Sequence, residues 1–358
     1  MRAVLLDAPG PPSVLRLGEL KDPLPSTGEV LVRVHATALN PVDFKVAAIG
    51  NELWRYPHVL GVDAAGVVEQ IGANVADWRP GDRVFYHSTW RKPGTYAELQ
   101  IVPGHTIARI PVSVSYIDAA AIACAGLTAY NALHRRLHCR SGDIVLVHAG
   151  SGGVGGFAIQ LAKRVGAKVV TTCSAANADY VRDLGADEVI DYRTENVFAR
   201  AQEFAGSRLF DRIVDTIGPK NGVDNLRLLA PEGGIAFIAG IPDLLEIDDL
   251  PYSIAIHDIG LGGVLVAPQF RRQQEDLAKM ASEMIALVER NEIRSTVSSE
   301  FTGSDDVFAA NDRLVAFPRN GCQQGFEIIV RLTGFQNGAV AVYDPIEREQ
   351  IAGRLVRK

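Results

Sequence analysis

The stretch His148-Ala149-Gly150-Ser151-Gly152-Gly153-Val154-Gly155-Gly156 constrains this chain more than any other. It carries G-x-G-x-x-G spacing at Gly150, Gly152 and Gly155. Alone that spacing is weak, because glycine-rich turns are common. Its flanks make it specific. Ile144-Val145-Leu146-Val147 precedes it as a continuous apolar run, the pattern of a buried parallel strand. Val154, Phe157, Ala158, Leu161, Ala162 and Val165 follow on one helix face, and a strand pattern returns at Lys168. Strand, glycine turn, helix and strand in that order form a dinucleotide-binding fingerprint. The first glycine permits the tight turn, and the second lets backbone N–H groups approach a pyrophosphate. The third lets the helix pack on the strand, so that its N-terminus faces the anion. Gly150, Ser151, Gly152, Gly153, Val154 and Gly155 are therefore candidate cofactor contacts. No Gly-Lys-Ser/Thr follows, which excludes a triphosphate P-loop. The competing reading is a glycine-rich turn without a ligand.

The end of the second strand discriminates among dinucleotides. An NAD site usually carries an acid there to hold the ribose 2′-OH. Here Thr171-Thr172-Cys173-Ser174-Ala175-Ala176-Asn177 contains none. Ser174 and Asn177 leave room for a 2′-phosphate, and Arg182, Tyr192 and Arg193 lie close enough in sequence to supply donors. Gly240, just past a further strand pattern, completes the cofactor set, and the expected cofactor is NADP. The alternative is that the donors are surface residues and selectivity is slight.

Around this unit the chain falls into two textures. Up to about residue 122 it reads as short strands with dense turns. Glu29–Ala36 alternates, with Val30, Val32, Val34 and Ala36 on one face, and 66–72 and 83–85 are further strands. From residue 123, strand patterns at 143–148, 168–173, 187–190, 212–216, 235–239 and 264–266 alternate with helical ones at 154–165 and 178–184. Such alternation predicts a parallel sheet wound on both faces. A helical stretch at 273–290, a strand at 326–332 and a weak strand signal at 339–343 close the chain.

A length of 358 residues suits two domains. With 47% hydrophobic and 22% charged residues the composition is that of a globular protein. The net charge of −6, without a basic run, argues against nucleic acid. The longest apolar stretch, roughly 119–133, is too short to span a bilayer. The first residues meet an acid and prolines too soon for a signal peptide. Cys124, Cys139, Cys173 and Cys322 share no short spacing and read as reduced thiols. The expectation is a cytoplasmic protein.

Seven segments together resemble the medium-chain dehydrogenase/reductase superfamily, and within it the zeta-crystallin-like quinone oxidoreductases. They are Ala38-Leu39-Asn40-Pro41-Val42-Asp43, Gly61-Val62-Asp63-Ala64-Ala65-Gly66, Pro80-Gly81-Asp82-Arg83-Val84, Gly94-Thr95-Tyr96-Ala97-Glu98, Gly126-Leu127-Thr128-Ala129-Tyr130, Gly150 to Gly155, and Leu184-Gly185-Ala186. The resemblance covers about residues 1–332. It implies an α/β protein with a GroES-like β-rich catalytic domain (1–122 with 268–358) and a Rossmann domain with a doubly wound parallel sheet (123–267). It also implies an active site in the cleft and a homodimer joined through the Rossmann sheets. Thr128 resembles the family position that approaches the nicotinamide, or it is a simple helix cap.

The sequence departs from the zinc alcohol dehydrogenases. The two positions resembling their catalytic Cys and His are Asn40 and Val62, and 87–93 carries no cysteine lobe for structural zinc. His35, His58, His87 and His105 share no mutual spacing and read as surface or hydrogen-bonded histidines. No metal is therefore expected. Hydride transfer then needs hydrogen-bond donors or a cation at the developing oxyanion. Asn40 offers an amide N–H and Lys45 an ammonium, although many quinone-oxidoreductase relatives have a tyrosine where Lys45 stands. Asp43 either orients a neighbour or caps a helix beginning at Phe44. Lys45 is otherwise a solvated lysine, Tyr96 and Trp54 line a pocket or fill the core, and Cys124 and Cys173 sit inert in apolar surroundings. The expected reaction is NADPH-driven reduction of a quinone or an activated double bond of a small molecule. A zinc alcohol dehydrogenase and a non-catalytic NADPH-binding structural or sensor protein are the alternatives.

Overall fold

The computed structural model describes residues 1–243, 252–297, 300–302, 328–331 and 340–341. Cys322 and most of the tail after Leu332 lie outside them. The chain folds into two units: one comprises Met1–Leu127 and the described chain from Leu261 onward, the other Thr128–Gly260.

In the first unit β1 (Arg2–Leu6), β2 (Arg16–Glu19) and β4 (His58–Val59) form a small antiparallel sheet. A larger antiparallel sheet runs through β3 (Glu29–Leu39), β5 (Asp63–Ile71), β6 (Arg83–His87) and β8 (Ala108–Arg109), with β7 (Leu99–Pro103) also paired to β3. Alternation along β3 puts Val30, Val32 and Val34 in a core with Ala64, Val68, Val84, Tyr86, Val102 and Ile107, while Arg33 points to solvent. The β5–β6 ladder sets Asp63 directly opposite His87.

Helix α1 (Pro41–Ile49) follows β3 at once, with extended Asn40 as its N-cap. The sequence reading began this helix at Phe44. Pro41 starts it earlier because the first helical residue needs no N–H partner and proline already holds a helical φ. A continuous helical run then carries the chain out of this unit. It passes from α2 (Tyr116–Ala121) through wide π turns at Ile122–Gly126, α3 (Leu127–Tyr130) and further π turns at Asn131–Arg136. Ser115 caps it, its Oγ accepting the Asp118 N–H at 3.0 Å. The division expected at 122/123 falls inside this run.

The second unit contains a six-stranded parallel sheet in the order β11-β10-β9-β12-β13-β14. Its strands are β9 (Ile144–Val147), β10 (Lys168–Cys173), β11 (Glu188–Asp191), β12 (Phe210–Asp215), β13 (Leu229–Phe237) and β14 (Ala255–Asp258). The intervening helices are α4 (Gly153–Arg164), α5 (Ala178–Asp183), α6 (Val197–Ala205) and α7 (Gly222–Arg227). The order reverses direction at β9, the doubly wound arrangement whose ligands bind beyond the strand carboxyl ends at that reversal. Leu146, Val170, Ile190, Ile213, Ile235 and Phe237 anchor the core on one face.

One strand expectation fails. Val264-Leu265-Val266 lies in a 3-10 helix, Leu261–Val266, and Ala255–Asp258 supplies the sixth strand. A three-residue apolar run beside two glycines has no period to decide between the two. Gln274 of α8 (Arg271–Glu289) decides it by donating to the Val264 and Ala267 carbonyls at 2.9 Å each. Short strands at Glu300–Thr302, Ile328–Arg331 and Val340–Ala341 extend the larger sheet of the first unit beside β3.

Candidate functional site

In the second unit the glycine turn sits at the carboxyl end of β9, and its conformation differs from the sequence reading. The left-handed residue is Ala149 (φ 51°), not Gly150. Ala149 is held there by its own N–H to Thr172 Oγ1 (3.0 Å) and by the Gly152 N–H to its carbonyl (2.9 Å). Gly150 is required by contact instead, since a Cβ there would lie 2.0 Å from Thr171 Oγ1. A Cβ on Gly155 would lie 2.2 Å from the Ala149 carbonyl oxygen, so α4 closes against the turn only with glycine at that place. Gly152 caps α4, and the first-turn N–H groups of Gly153, Val154 and Gly155 have no carbonyl within the helix to bond. Free N–H groups at a helix start of this kind suit an anion.

Next to this turn, at the end of β10, two buried polar atoms lack a partner: Ser174 Oγ and Asn177 Oδ1. The Asn177 amide donates to Ser151 Oγ of the turn at 3.2 Å. An uncompensated buried polar atom costs about 1–3 kcal/mol, so this pair fits a ligand that supplies hydrogen bonds. Arg193 is exposed, its guanidinium 5.8 Å from the Tyr192 ring centroid. Arg182 is engaged by Asp179 at 3.1 Å, and Asp191 by the Arg193 N–H and the Thr194 hydroxyl. Gly240 adopts φ 108° beyond β13. Burial pushes the Cys173 thiol up to about 11, which leaves it protonated and unreactive.

Under the turn lies a buried chain the sequence did not reveal. His148 Nε2 meets Asn225 Oδ1 at 2.8 Å, and the Asn225 amide donates to Asp215 Oδ2 at 2.8 Å. The other Asp215 oxygen accepts the Ile217 and Gly218 N–H groups. This links the loops after β9 and β12. No local spacing signals it, because the three residues come from separate elements. Thr128 is buried in the middle of the helical run, which removes the helix-cap reading.

In the first unit a second polar cluster surrounds Asn40. Its backbone N–H donates to Asp43 Oδ2 (2.8 Å), an oxygen that also accepts the Tyr96 hydroxyl (2.7 Å). Its side-chain amide donates to Asp63 Oδ2 (2.8 Å), and His87 Nδ1 meets Asp63 Oδ1 at 3.1 Å. Asp43 therefore both closes the first turn of α1 and anchors Tyr96. Burial raises the Asp43 carboxyl to about 7 against the bonds from Tyr96 and Asn40, which favour its ionised form. Burial likewise raises Asp63, partly offset by His87. Lys45 is exposed on α1. Trp54 is buried, stacked on His58 at 4.1 Å and donating to the Trp90 carbonyl. His58 is buried rather than exposed, and burial pushes it down to about 4.

The sequence reading of Cys124 needs correction. Its surroundings are polar: donor atoms of Asp63, His87 and Cys124 lie within 4.8 Å of one another. Neither Cys124 nor His87 carried a local signal, since they lie 61 and 24 residues from Asp63. Val62, the other ligand-like place, is buried and offers no donor.

Two family descriptions match the chain: an alcohol dehydrogenase GroES-like domain over residues 26–112 and a zinc-binding dehydrogenase over residues 153–287. The chain is 32% identical over 304 residues to the quinone oxidoreductase of Pongo abelii, covering 84% of this chain and 90% of that protein. It is 41% identical over 199 residues to a trans-enoyl reductase of Aspergillus terreus, covering 53% of this chain and 55% of that one. A mycobacterial structure solved in complex with NADPH superposes with a TM-score of 0.76 at 28% identity, covering 93% of this chain and 100% of that one. Among the described residues no helix is long and apolar enough to cross a membrane.

Proposed function

The chain belongs to the medium-chain dehydrogenase/reductase superfamily, in its quinone-oxidoreductase-like group, and from that premise we propose that it reduces a quinone or an activated carbon–carbon double bond with NADPH, without a metal in the reaction. The observation that carries the cofactor choice is the acid-free end of β10, where the Ser174 hydroxyl is buried without a partner and can donate to a phosphate, while Asn177 Oδ1 can only accept, as from a ribose hydroxyl. When bound, NADPH supplies a hydride from its nicotinamide.

The residues divide the remaining work. The α4 N-terminus, with Gly150, Ser151, Gly152, Gly153, Val154 and Gly155, takes the pyrophosphate. Ser174, Asn177, Tyr192 and Arg193 take the 2′-phosphate end, Arg193 through charge-assisted bonds. Thr128 and Gly240 complete the cofactor contacts. Asn40 and Lys45 stabilise negative charge developing on the substrate oxygen. Asp43, whose carboxyl burial raises to about 7, accepts the Tyr96 hydroxyl and holds that side chain in place beside Asn40. The same reading gives a small-molecule substrate, a cytoplasmic location and a homodimer joined through the Rossmann units.

Chelator-treated protein is expected to oxidise NADPH with a panel of quinones and enones, and faster than NADH. Absence of turnover with every acceptor refutes the catalytic reading and leaves a non-catalytic NADPH-binding protein. Turnover that appears only when zinc is restored refutes the metal-free reaction.

A further inference from the structure

We propose that Asp63, His87 and Cys124 form a three-ligand site for a thiophilic divalent cation, zinc foremost. The donors come from two rigid strands and a helix. Asp63 opens β5 and His87 ends β6, paired in register across the ladder. Cys124 sits on the π turns at Ile122–Gly126 and donates its backbone N–H to the Asp63 carboxylate. Single π turns within helices are frequent at functional sites, because the wider coil re-aims side chains.

The distances suit a small tetrahedral ion. Arms of about 2.0–2.1 Å give a tetrahedron edge of about 3.3 Å. His87 Nδ1 and Asp63 Oδ1 are already 3.1 Å apart. No donor in the set is farther than 4.8 Å from the others, so the sulfur needs to travel only on the order of 1 Å to close its edges. A thiolate, an imidazole and a carboxylate together select zinc over magnesium or calcium, which prefer all-oxygen shells. Asp63 and His87 are buried, while Cys124 is only half-buried, which leaves a way in.

The ion would replace protons. The thiol proton and the proton shared between His87 and Asp63 leave as the three bonds to the cation form, and nothing is oxidised or reduced. Asp63 keeps the Asn40 amide as a neighbour of the bound ion, the outer partner that ligating carboxylates usually have. With three protein ligands and a hydrogen bond to displace, the site binds exchangeably. That is compatible with a reaction that does not use the metal.

The test uses the full-length, chelator-treated protein and cobalt(II) as a spectroscopic stand-in for zinc. One equivalent of cobalt is expected to give a thiolate-to-cobalt charge-transfer absorption. The absorption disappears in Cys124→Ser and persists in Cys322→Ser, and His87→Gln weakens cobalt affinity by more than about tenfold. No such absorption in the unmodified protein, or its survival in Cys124→Ser, overturns the proposal. A second measurement needs no variant. Stoichiometric zinc should protect Cys124, mapped by mass spectrometry, from alkylation by iodoacetamide; protection of another cysteine, or of none, overturns the site. Neither readout involves NADPH turnover, so failure of the site and failure of the proposed reaction are separable.

Discussion

Replacing Asp43 with asparagine isolates the energetic consequence of a buried carboxyl that the fold holds near neutrality. The carboxyl is raised from an ordinary 3.8 to about 7. A raised carboxylate stabilises the fold only while protonated. Its contribution is complete below pH 3.8 and is lost progressively as pH rises to about 7. At about 1.36 kcal/mol per unit the whole loss is about 4 kcal/mol. Of this, about 2 kcal/mol falls between about pH 5.5 and about pH 8.5, by which the loss is complete. Asparagine does not titrate, and its carbonyl can accept from both the Asn40 N–H and the Tyr96 hydroxyl, the two donors to Asp43 Oδ2. The advantage of Asp43→Asn over the parent should therefore grow by about 2 kcal/mol between those two pH values. For a unit of this size that is roughly 4–8 °C in thermal midpoint. Asp63, also raised by burial, is present in both proteins and cancels to first order. Thermal melts at the two pH values measure the difference. An advantage that is independent of pH, or that grows toward acid, refutes the reasoning.

Three further expectations concern the proposed reaction. Lys45→Ala should lower kcat by at least about tenfold while NADPH affinity changes little, because an ammonium at a developing oxyanion acts mainly in the transition state. An unchanged kcat returns Lys45 to the solvated surface. NADPH should bind more tightly than NADH in a fluorescence titration, and Arg193→Ala should erase most of a preference on the order of tenfold. Equal binding of the two cofactors by the parent protein refutes that assignment. Gly155→Ala should abolish cofactor binding in the same titration, since its Cβ would lie 2.2 Å from the Ala149 carbonyl oxygen and force α4 off the turn. Undiminished affinity would mean the turn is not the phosphate cradle.

What could be read from the sequence was local. Strand β10 occupies Lys168–Cys173, the span its pattern predicted, and α4 lies within a residue of its expected span. Both are dictated by neighbours a few positions apart: β-branched residues in the strand, a 3.6-residue apolar period in the helix. The parallel, doubly wound sheet followed from repeating that unit. Errors gathered where local signals were short or ambiguous. Val264-Leu265-Val266 was settled by Gln274 ten residues later, and the start of α1 by a proline whose helical role needs the Asn40 cap.

The polar clusters were decided by tertiary structure alone. Asn40, Asp63, His87 and Cys124 meet because the β5–β6 register places Asp63 opposite His87, β3 delivers Asn40 beside them, and a π turn brings Cys124 to the same carboxylate. Each was visible in the sequence as a single polar residue, and Cys124 read as an apolar thiol because its immediate neighbours are Ala123 and Ala125. The sequence sets which side chains are available and which local backbone each adopts. Which of them share a buried, low-dielectric volume, and hence which carboxyl holds its proton and which thiol stands beside an imidazole, depends on strand register and helix docking across tens of residues, where no sequence period reaches.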